Sequence, residues 1–328
     1  MASNQSLIKG IGCGIAAGVC WGVIFLGPAL TPGLSGTAFA VLRFLCYGLF
    51  SVVLLLPRWR RVRSALCRED WISLFWLSLI GNLLYYSLVG TGVQLAGVAT
   101  TSLIVGLIPV LVALAGRRDA NAVPMRRLAP SLCCAVAGVA LISFHALDQD
   151  EVAAGISSKW GLLCAFGALL SWSWYAVHNA RRLAVTDVSA HDWSLLTGVM
   201  TGAQSLLLAI PLISSGYQQL SPQTLAHFLL VAAGVALLAS VIGGVFWNHA
   251  SRLLPLALSG QVLVIETLAA LLLGFLWERR LPTTIEMTAI TLLVIGVVWC
   301  LLCHQRRSHK PHQTLSSLAG KRATKQVP

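Results

Sequence analysis

Two charged residues interrupt long apolar stretches of the sequence, where charges are rare. Arg43 lies within the apolar segment 34–56, and Glu266 lies within 256–277. A guanidinium binds carboxylates and phosphates through charge-assisted hydrogen bonds, whereas a carboxyl group enclosed in a low dielectric is penalised when charged and can exchange a proton. Two interpretations of Arg43 stay open: an ion pair with Glu266, or a side chain that reaches an interface or backbone carbonyl groups.

Aromatic and polar residues accompany these charges. Within 160–181, the residues Trp172, Tyr175, His178 and Asn179 are spaced by three or four positions, so one helix face can carry them. Such a face binds amphipathic solutes by stacking and hydrogen bonding, although anchoring at a membrane interface also explains His178 and Asn179. The full set of candidate cavity residues is Trp21, Arg43, Asn82, Tyr86, Pro109, Trp172, Tyr175 and Glu266.

A proline and a stripe of glycines also lie within long apolar segments of the sequence. Pro109 falls inside 97–116, where a proline removes a backbone donor and kinks a helix. Such a kink either shapes the wall of a cavity or is an ordinary feature of a membrane helix. Every fourth residue from Gly10 to Gly22 is glycine, and this stripe is interpreted as a close helix contact within the monomer or as a surface that slides.

Composition determines what kind of protein positions these residues. Hydrophobic residues make up 57% of the 328 positions and charged residues 10%, with a mean hydropathy of +0.79; a soluble domain needs more polar surface. A membrane-spanning helix needs about 20 mostly apolar residues, and its backbone must bond internally. The sequence therefore predicts an all-α polytopic membrane protein with ten transmembrane helices, at 10–30, 34–56, 70–92, 97–116, 128–147, 160–181, 192–214, 224–248, 256–277 and 283–303.

Basic residues orient these helices. Most of the 23 Lys and Arg residues share one side of the membrane if both termini are cytoplasmic, as the positive-inside rule requires. Arg279 and Arg280, beside Glu278, conflict locally with this orientation. The net charge of +12 therefore reports topology, and because it is dispersed without an aromatic platform we expect no nucleic-acid partner. The lipid bilayer is the expected partner, and the basic tail can contact its anionic headgroups.

The two halves of the sequence resemble each other. A shift of 151 places Trp21 on Trp172, and a shift of 157 or 158 aligns 102–116 with the segment around Glu266. Five helices per half is an odd number, so the halves enter the membrane in opposite senses, which is typical of inverted repeats with a solute site between them. The predicted parts are a cytoplasmic N-terminus (1–9), a first five-helix repeat (10–147), an external acidic linker (148–159), a second five-helix repeat (160–303) and a disordered basic cytoplasmic tail (304–328).

The sequence gives no convincing motif for haem binding, nucleotide binding or catalysis. The stretch from Cys300 to His304 matches the C-x-x-C-H haem pattern, but it ends a membrane helix at the predicted cytoplasmic face, where haem attachment is not expected. Packing explains these cysteines better. The sequence contains no P-loop and no Ser/His/Asp arrangement at one depth. We therefore expect no cofactor, no metal site, no catalytic residue and no enzyme activity.

The order and spacing of these motifs resemble the EamA-type branch of the drug/metabolite transporter superfamily. The resemblance covers nearly all of 10–303 and is carried by Trp21-Gly22, Arg43-Phe44, the Ala-rich run around Pro109, Glu266 to Ala270, and Leu276 to Arg279. It implies a bacterial inner-membrane carrier that exports amino acids, related metabolites or drugs through a cavity lined by both halves. One departure is Thr267, which stands where the family commonly has proline and implies a weaker kink in the ninth helix.

These observations predict a secondary active transporter that exports small molecules across the inner membrane by alternating access. Glu266 is the candidate for proton coupling, and helix packing alone is its alternative role. The alternative functions are a lipid or lipid-carrier flippase, which would scramble labelled lipid, and an intramembrane enzyme, which would alter its substrate chemically. The chain is predicted to act as a monomer or a homodimer.

Overall fold

The computed structural model describes residues 4–116, 124–149, 157–214, 221–254, 259 and 262–308. The regular elements of these ranges are helices, which confirms the all-helical prediction and follows from the need of apolar segments to bond their backbone internally in lipid. In chain order the main helices are α1 (Asn4–Gly22), α2 (Gly36–Leu55), α3 (Arg68–Ala96), α4 (Val98–Val105 and Ile108–Ala115), α5 (Met125–Gln149), α6 (Ser157–Leu183), α7 (Ala190–Ser214), α8 (Pro222–Leu253), α9 (Val264–Glu278) and α10 (Thr284–Ser308).

Within the described residues, six helical stretches are long and apolar enough to cross a membrane. They are Gln5–Leu26, Gly36–Ser64, Arg68–Ala96, Lys159–Leu183, Ala190–Ile210 and Pro222–Leu253. Shorter apolar stretches in the described residues are Thr100–Ala115, Ile265–Trp277 and Thr284–Gly296. Large apolar side chains such as Leu207 and Leu230 are exposed, as expected for a protein surrounded by lipid. The chain is therefore a polytopic membrane protein, and the number of ten crossings stays a prediction.

The helices pack in a pattern that repeats between the halves of the chain. Helix α2 packs along α7, and α5 packs along α10. Helix α1 packs on α8 and α9, while α6 packs on α3 and α4. Exchanging each of α1–α5 with the helix five places later leaves this set of contacts unchanged.

Helices α2 and α7 approach each other closely at a pair of glycines. A Cβ atom added to Gly48 would lie 2.7 Å from the Cα of Gly202, and a Cβ added to Gly202 would lie 2.7 Å from the Cα of Gly48. Only glycine at both positions allows this approach, and packing of this kind drives helix association in a bilayer.

Two helices contain π-helical segments at matching places. These segments are Leu79–Leu84 in α3 and Ala236–Gly243 in α8. A π segment displaces carbonyl groups from the regular ladder. Ser171 Oγ on α6 donates to the Ile80 carbonyl (2.5 Å), and Trp21 Nε1 on α1 donates to the Ala239 carbonyl (2.8 Å). Each π segment thus joins its helix to a helix of the other half.

Helix α4 is interrupted just before Pro109, where the sequence predicts a kink, and the described part of α9 begins at Val264. In α4 the helix stops at Val105 and resumes at Ile108, so Pro109 lies in the first turn of the second piece, where its missing N–H costs no helical hydrogen bond. Helix α9 begins at Val264, which puts Glu266 in its first turn. The Glu266 N–H bonds the Leu263 carbonyl (2.9 Å) in the turn that opens this helix, and residues 256–258, 260 and 261 of the predicted segment lie outside the described part of the chain.

Helix α1 carries its glycine stripe against α9 and the end of α8. A Cβ added to Gly14 would lie 2.6 Å from Val262, and one added to Gly22 would lie 2.5 Å from the Cβ of Ala269. The stripe is thus a helix contact within the monomer in this conformation, and whether the contact slides stays a prediction.

Two of the predicted parts fall partly outside the described residues. For the acidic linker 148–159, α5 runs to Gln149 and α6 starts at Ser157, and 150–156 lie outside. For the tail 304–328, α10 continues to Ser308, and the disordered tail stays a prediction. Residues 309–328 lie outside the described part of the chain.

Candidate functional site

Three tryptophans from three helices form the centre of the site. The ring centroids of Trp21 on α1 and Trp172 on α6 lie 5.6 Å apart, and Trp247 on α8 lies 5.4 Å from the first and 5.1 Å from the second. Tyr175 extends the cluster 5.5 Å from Trp172. All four rings are buried, and their tilted contacts are the geometry that aromatic rings prefer. They form a wall on which a planar or apolar solute can stack.

Arg43 on α2 lies beside this wall. It is 2% exposed, and its guanidinium carbon lies 3.9 Å from the Tyr86 ring centroid and 4.5 Å from the Phe44 centroid. These cation–π contacts stabilise a buried cation. Among the described residues, Arg43 forms no ion pair within 4.0 Å, and its buried Nε has no hydrogen-bond partner.

A cavity of about 30 Å³ opens between these side chains, which is room for only a few water molecules. Six helices contribute to it: α1, α2 and α3 from the first half, and α6, α7 and α8 from the second. Its lining residues are Trp21, Arg43, Tyr47, Asn82, Tyr86, Trp172, Tyr175, Ser194, Thr197, Ala239, Ser240, Gly244 and Asn248. Six of the eight candidate residues predicted from the sequence meet here, and Pro109 and Glu266 are not among the lining residues.

Glu266 lies apart from the cavity but within electrostatic range of it. It is 4% exposed, and α1 packs on it so closely that a Cβ added to Gly18 would lie 2.9 Å from its backbone nitrogen. Glu266 interacts electrostatically with Arg43, Tyr85 and Tyr86. No ion pair within 4.0 Å joins it to Arg43, so the two charges share a buried region without direct contact. Pro109 is buried in α4.

The four residues predicted to share one face of α6 do not all lie on the same side of the helix. Trp172 and Tyr175 line the cavity, and Asn179 is 1% exposed beside it, where it donates to Asn248 Oδ1 (3.0 Å) and accepts from a tryptophan N–H. His178 points away, because six positions from Trp172 it lies on another side of the helix. It is exposed, stacks on Trp174 with a centroid distance of 4.1 Å, and lines an outer groove.

Several cavity residues were missed by sequence reasoning. Tyr47 on α2 donates its hydroxyl proton to the Ser194 carbonyl of α7 (2.6 Å), and Asn82 on α3, which was predicted, donates to Thr201 Oγ1 of α7 (3.0 Å). Tyr47 is adjacent to Gly48, so the small residues that let α2 and α7 cross would have been the signal for its position. No comparable signal marks Ser194 or Ser240, since serines are common in membrane helices.

Polar contacts tie the loops together at one end of the bundle. Arg182 at the end of α6 donates from Nε to Oδ1 of Asp70 at the start of α3 (2.8 Å). Arg58, in the short helix after α2, pairs with Asp192 of α7 (3.0 Å). Arg252 of α8 donates to the carbonyl groups of Thr186 and Val188. All of these loops lie on the predicted cytoplasmic side, and the pairs formed by Arg182 and Arg58 join the two halves of the chain there.

The charge that conflicts with the positive-inside rule has a partner. Arg280 donates from both Nη atoms to the carboxylate of Glu286, each at 2.7 Å. Glu286 also accepts from the Thr283 N–H (2.7 Å). A bidentate pair of this geometry neutralises the local positive charge, and the acid responsible lies six residues beyond Arg280 at the start of α10.

Comparisons with known proteins agree with this architecture. Residues 8–144 match the EamA-like transporter family. The inner membrane protein YtfF of Escherichia coli (strain K12) is 32% identical over 309 residues, which cover 89% of this chain and 94% of that protein. A solved crystal structure at 20% identity superposes with a TM-score of 0.64 over 90% of this chain and 98% of the other, which shows a shared fold. The chain therefore belongs to the EamA-like transporter family of the drug/metabolite transporter superfamily.

Proposed function

We propose that the protein is a secondary active transporter that exports small solutes across the bacterial inner membrane by alternating access. The observation that carries the proposal is the buried cavity, to which the equivalent helices α1, α2, α3 and α6, α7, α8 contribute. A site at the interface of two repeats is where alternating access exposes a solute first to one side and then to the other.

Residue correspondences support two inverted five-helix repeats. Gly48 and Gly202, which touch across α2 and α7, are 154 positions apart. The same spacing separates Ser35 from Ser189, and both serines cap their helices by accepting an N–H, from Ala38 (3.1 Å) and from Asp192 (3.0 Å). Two related residues touch each other only where a two-fold axis passes between them, so the α2–α7 crossing is the proposed axis of rocking.

The size of the cavity supports an occluded conformation. About 30 Å³ admits only water, so a metabolite enters only after the two halves have moved apart at one end. The contacts of Arg182 with Asp70 and of Arg58 with Asp192 join the two halves at the end that carries most of the basic residues, and we propose that they close it. We place that end and both termini in the cytoplasm, in agreement with the positive-inside rule.

Proton coupling is assigned to Glu266 in this proposal. Its burial in the first turn of α9 and its electrostatic interaction with Arg43 support the role, because protonation of this one group changes the field that Arg43 experiences. Movement of α1, which packs on the Glu266 backbone through Gly18, would transmit the change to the cavity.

The variant Glu266→Gln tests this coupling, since it preserves shape and removes the titrating group. We expect it to abolish flux driven by a pH gradient in vesicles while solute counterflow and the folded state persist. Asp187→Asn is the matched control, because it makes the same acid-to-amide change at an exposed position of the loop between α6 and α7. Unchanged gradient-driven flux in the Glu266 variant would leave this acid with a packing role only.

The transport proposal itself is tested by comparing the extracellular metabolites of overexpressing and deletion strains. We expect a defined set of small solutes to rise in the medium with overexpression and fall on deletion. An unchanged set, combined with scrambling of labelled lipid by the purified protein, would support a flippase instead. Chemical alteration of a solute by the purified protein would support an intramembrane enzyme.

A further inference from the structure

We infer that the cavity, once the two halves have moved apart, binds a small monocarboxylate with an aromatic or apolar body, whose carboxylate is held by Arg43, Ser194 and Ser240. The inference rests on the proposed function, since it names the solute class of the same site. It is carried by three buried polar atoms without a hydrogen-bond partner among the described residues, which belong to side chains that line one cavity from three helices.

The first of these atoms belongs to Arg43. A buried cation in a membrane protein is normally paired with an acid, and an unpaired one marks a solute or ion path. Arg43 has aromatic rings on its faces instead, and its Nε is left without an acceptor. A guanidinium edge of this kind fits the planar geometry of a carboxylate.

The other two atoms are the hydroxyls of Ser194 on α7 and Ser240 on α8. A buried hydroxyl in a helix usually donates to the carbonyl four residues earlier. Hydroxyl groups around the cavity do so at 2.7–2.9 Å, namely those of Ser173, Thr197, Thr201 and Ser205. Ser194 and Ser240 are 1% and 8% exposed and lack any such bond. A buried hydroxyl without a hydrogen bond destabilises the protein, and a bound acceptor would remove this destabilisation at both serines.

The geometry of the surroundings keeps this position open. A Cβ atom added to Gly244 on α8 would lie 2.8 Å from Ser194 Oγ, so the glycine leaves space in front of the hydroxyl. Tyr47 fixes the same turn by donating to the Ser194 carbonyl. Two hydroxyls and one guanidinium nitrogen can satisfy several of the lone pairs on the two oxygens of a carboxylate.

The rest of the lining indicates the body of the solute. Trp21, Trp172 and Tyr175 present aromatic surface, which favours an aromatic or branched apolar group. The described lining residues include Arg43 but no Asp or Glu. A free ammonium group would therefore meet a like charge and no carboxylate, so a monoanion is favoured over a zwitterionic α-amino acid.

The test is a ligand titration of the purified full-length protein in lipid nanodiscs, in which binding is measured by calorimetry and by tryptophan fluorescence. The probes are acetate, isovalerate, phenylacetate and indole-3-acetate, with phenylacetamide and phenylalanine as matched neutral and zwitterionic compounds. We expect phenylacetate or indole-3-acetate to bind at least about tenfold more tightly than phenylacetamide, the ratio of one charge-assisted hydrogen bond. Failure of every carboxylate to bind, or equal binding of acid and amide, would overturn the inference.

Variants locate the carboxylate. Arg43→Met is expected to lose at least about tenfold in phenylacetate affinity, and Ser194→Ala and Ser240→Ala a few-fold each. Arg60→Met, the same change at an exposed arginine, is the control and should bind as the wild type does. If Arg43→Met fails to fold, Arg43→Lys serves instead: it keeps the charge but loses the Nε donor, so unaltered affinity in that variant would contradict the assigned contact.

Counterflow of labelled phenylacetate in proteoliposomes separates the two proposals. Binding that depends on Arg43 without any flux would uphold the site and refute the transporter. Flux of another solute class, with no preference for carboxylates, would uphold the transporter and refute the site.

Discussion

At the scale of single residues, Arg43 is a buried cation, and among the described residues no acidic group lies within 4.0 Å to offset its desolvation. Arg280 is the contrasting case, because both of its Nη atoms bond Glu286 at 2.7 Å. Removing a buried charge that has no ion-pair partner relieves its desolvation, which offsets the loss of its cation–π contacts with Phe44 and Tyr86. Removing one partner of an ion pair leaves the other charge buried and unpaired. The two arginines should therefore respond oppositely to the same substitution.

We expect Arg43→Met to leave the apparent melting temperature in detergent unchanged or higher. We expect Arg280→Met to lower the free energy of unfolding by about 1–2 kcal/mol, a value reduced because Arg280 is partly exposed. A thermal-shift assay on both variants makes the measurement. A large loss of stability in Arg43→Met, equal to that in Arg280→Met, would show that Arg43 is structural.

Residue type alone was sufficient to find some members of the site. Arg43, Trp21 and Trp172 stand out because charges and clustered aromatic rings are unusual in apolar segments. Ser194 and Ser240 do not stand out. What distinguishes them is the lack of the backbone bond that neighbouring hydroxyls make, and that property depends on coordinates and not on sequence.

At the scale of helices, irregular segments place the functional side chains. The sequence predicts a kink at Pro109, and α4 is interrupted just before it. It also implies a weaker kink near Glu266, where Thr267 replaces the proline common in the family, yet α9 begins only at Val264. The π segments of α3 and α8 have no residue signature in this chain. Carbonyl groups in these segments accept hydrogen bonds from helices of the other half. Such contacts between distant residues cannot be recognised in the sequence.

The α2–α7 crossing gives a prediction about helix packing. In Gly48→Ala the new methyl group would meet the Gly202 backbone at 2.7 Å, so we expect a loss of about 1–3 kcal/mol of stability from overpacking. Gly12→Ala is the matched control, since a Cβ there meets nothing within 4 Å and alanine favours a helix. Equal melting temperatures for the two variants would contradict the close crossing.

At the scale of the whole molecule, two halves meet around a cavity of about 30 Å³. Composition was enough to predict helices in a membrane, because 57% hydrophobic residues admit few other structures. The pairing of α1 with α8 and α9, and of α6 with α3 and α4, was not predictable. In lipid, helix contacts follow from shape and a few hydrogen bonds, and hydrophobic pattern contributes little to their choice.

Access to the cavity from both sides of the membrane is the central claim, and thiol labelling tests it directly. Thr197 lines the cavity, so Thr197→Cys is placed in a chain from which the nine native cysteines have been removed. A membrane-impermeant thiol reagent is then applied to intact cells and to inside-out vesicles. Alternating access predicts labelling from both sides, slowed in each case by phenylacetate. Labelling from one side only, or from neither, would contradict it.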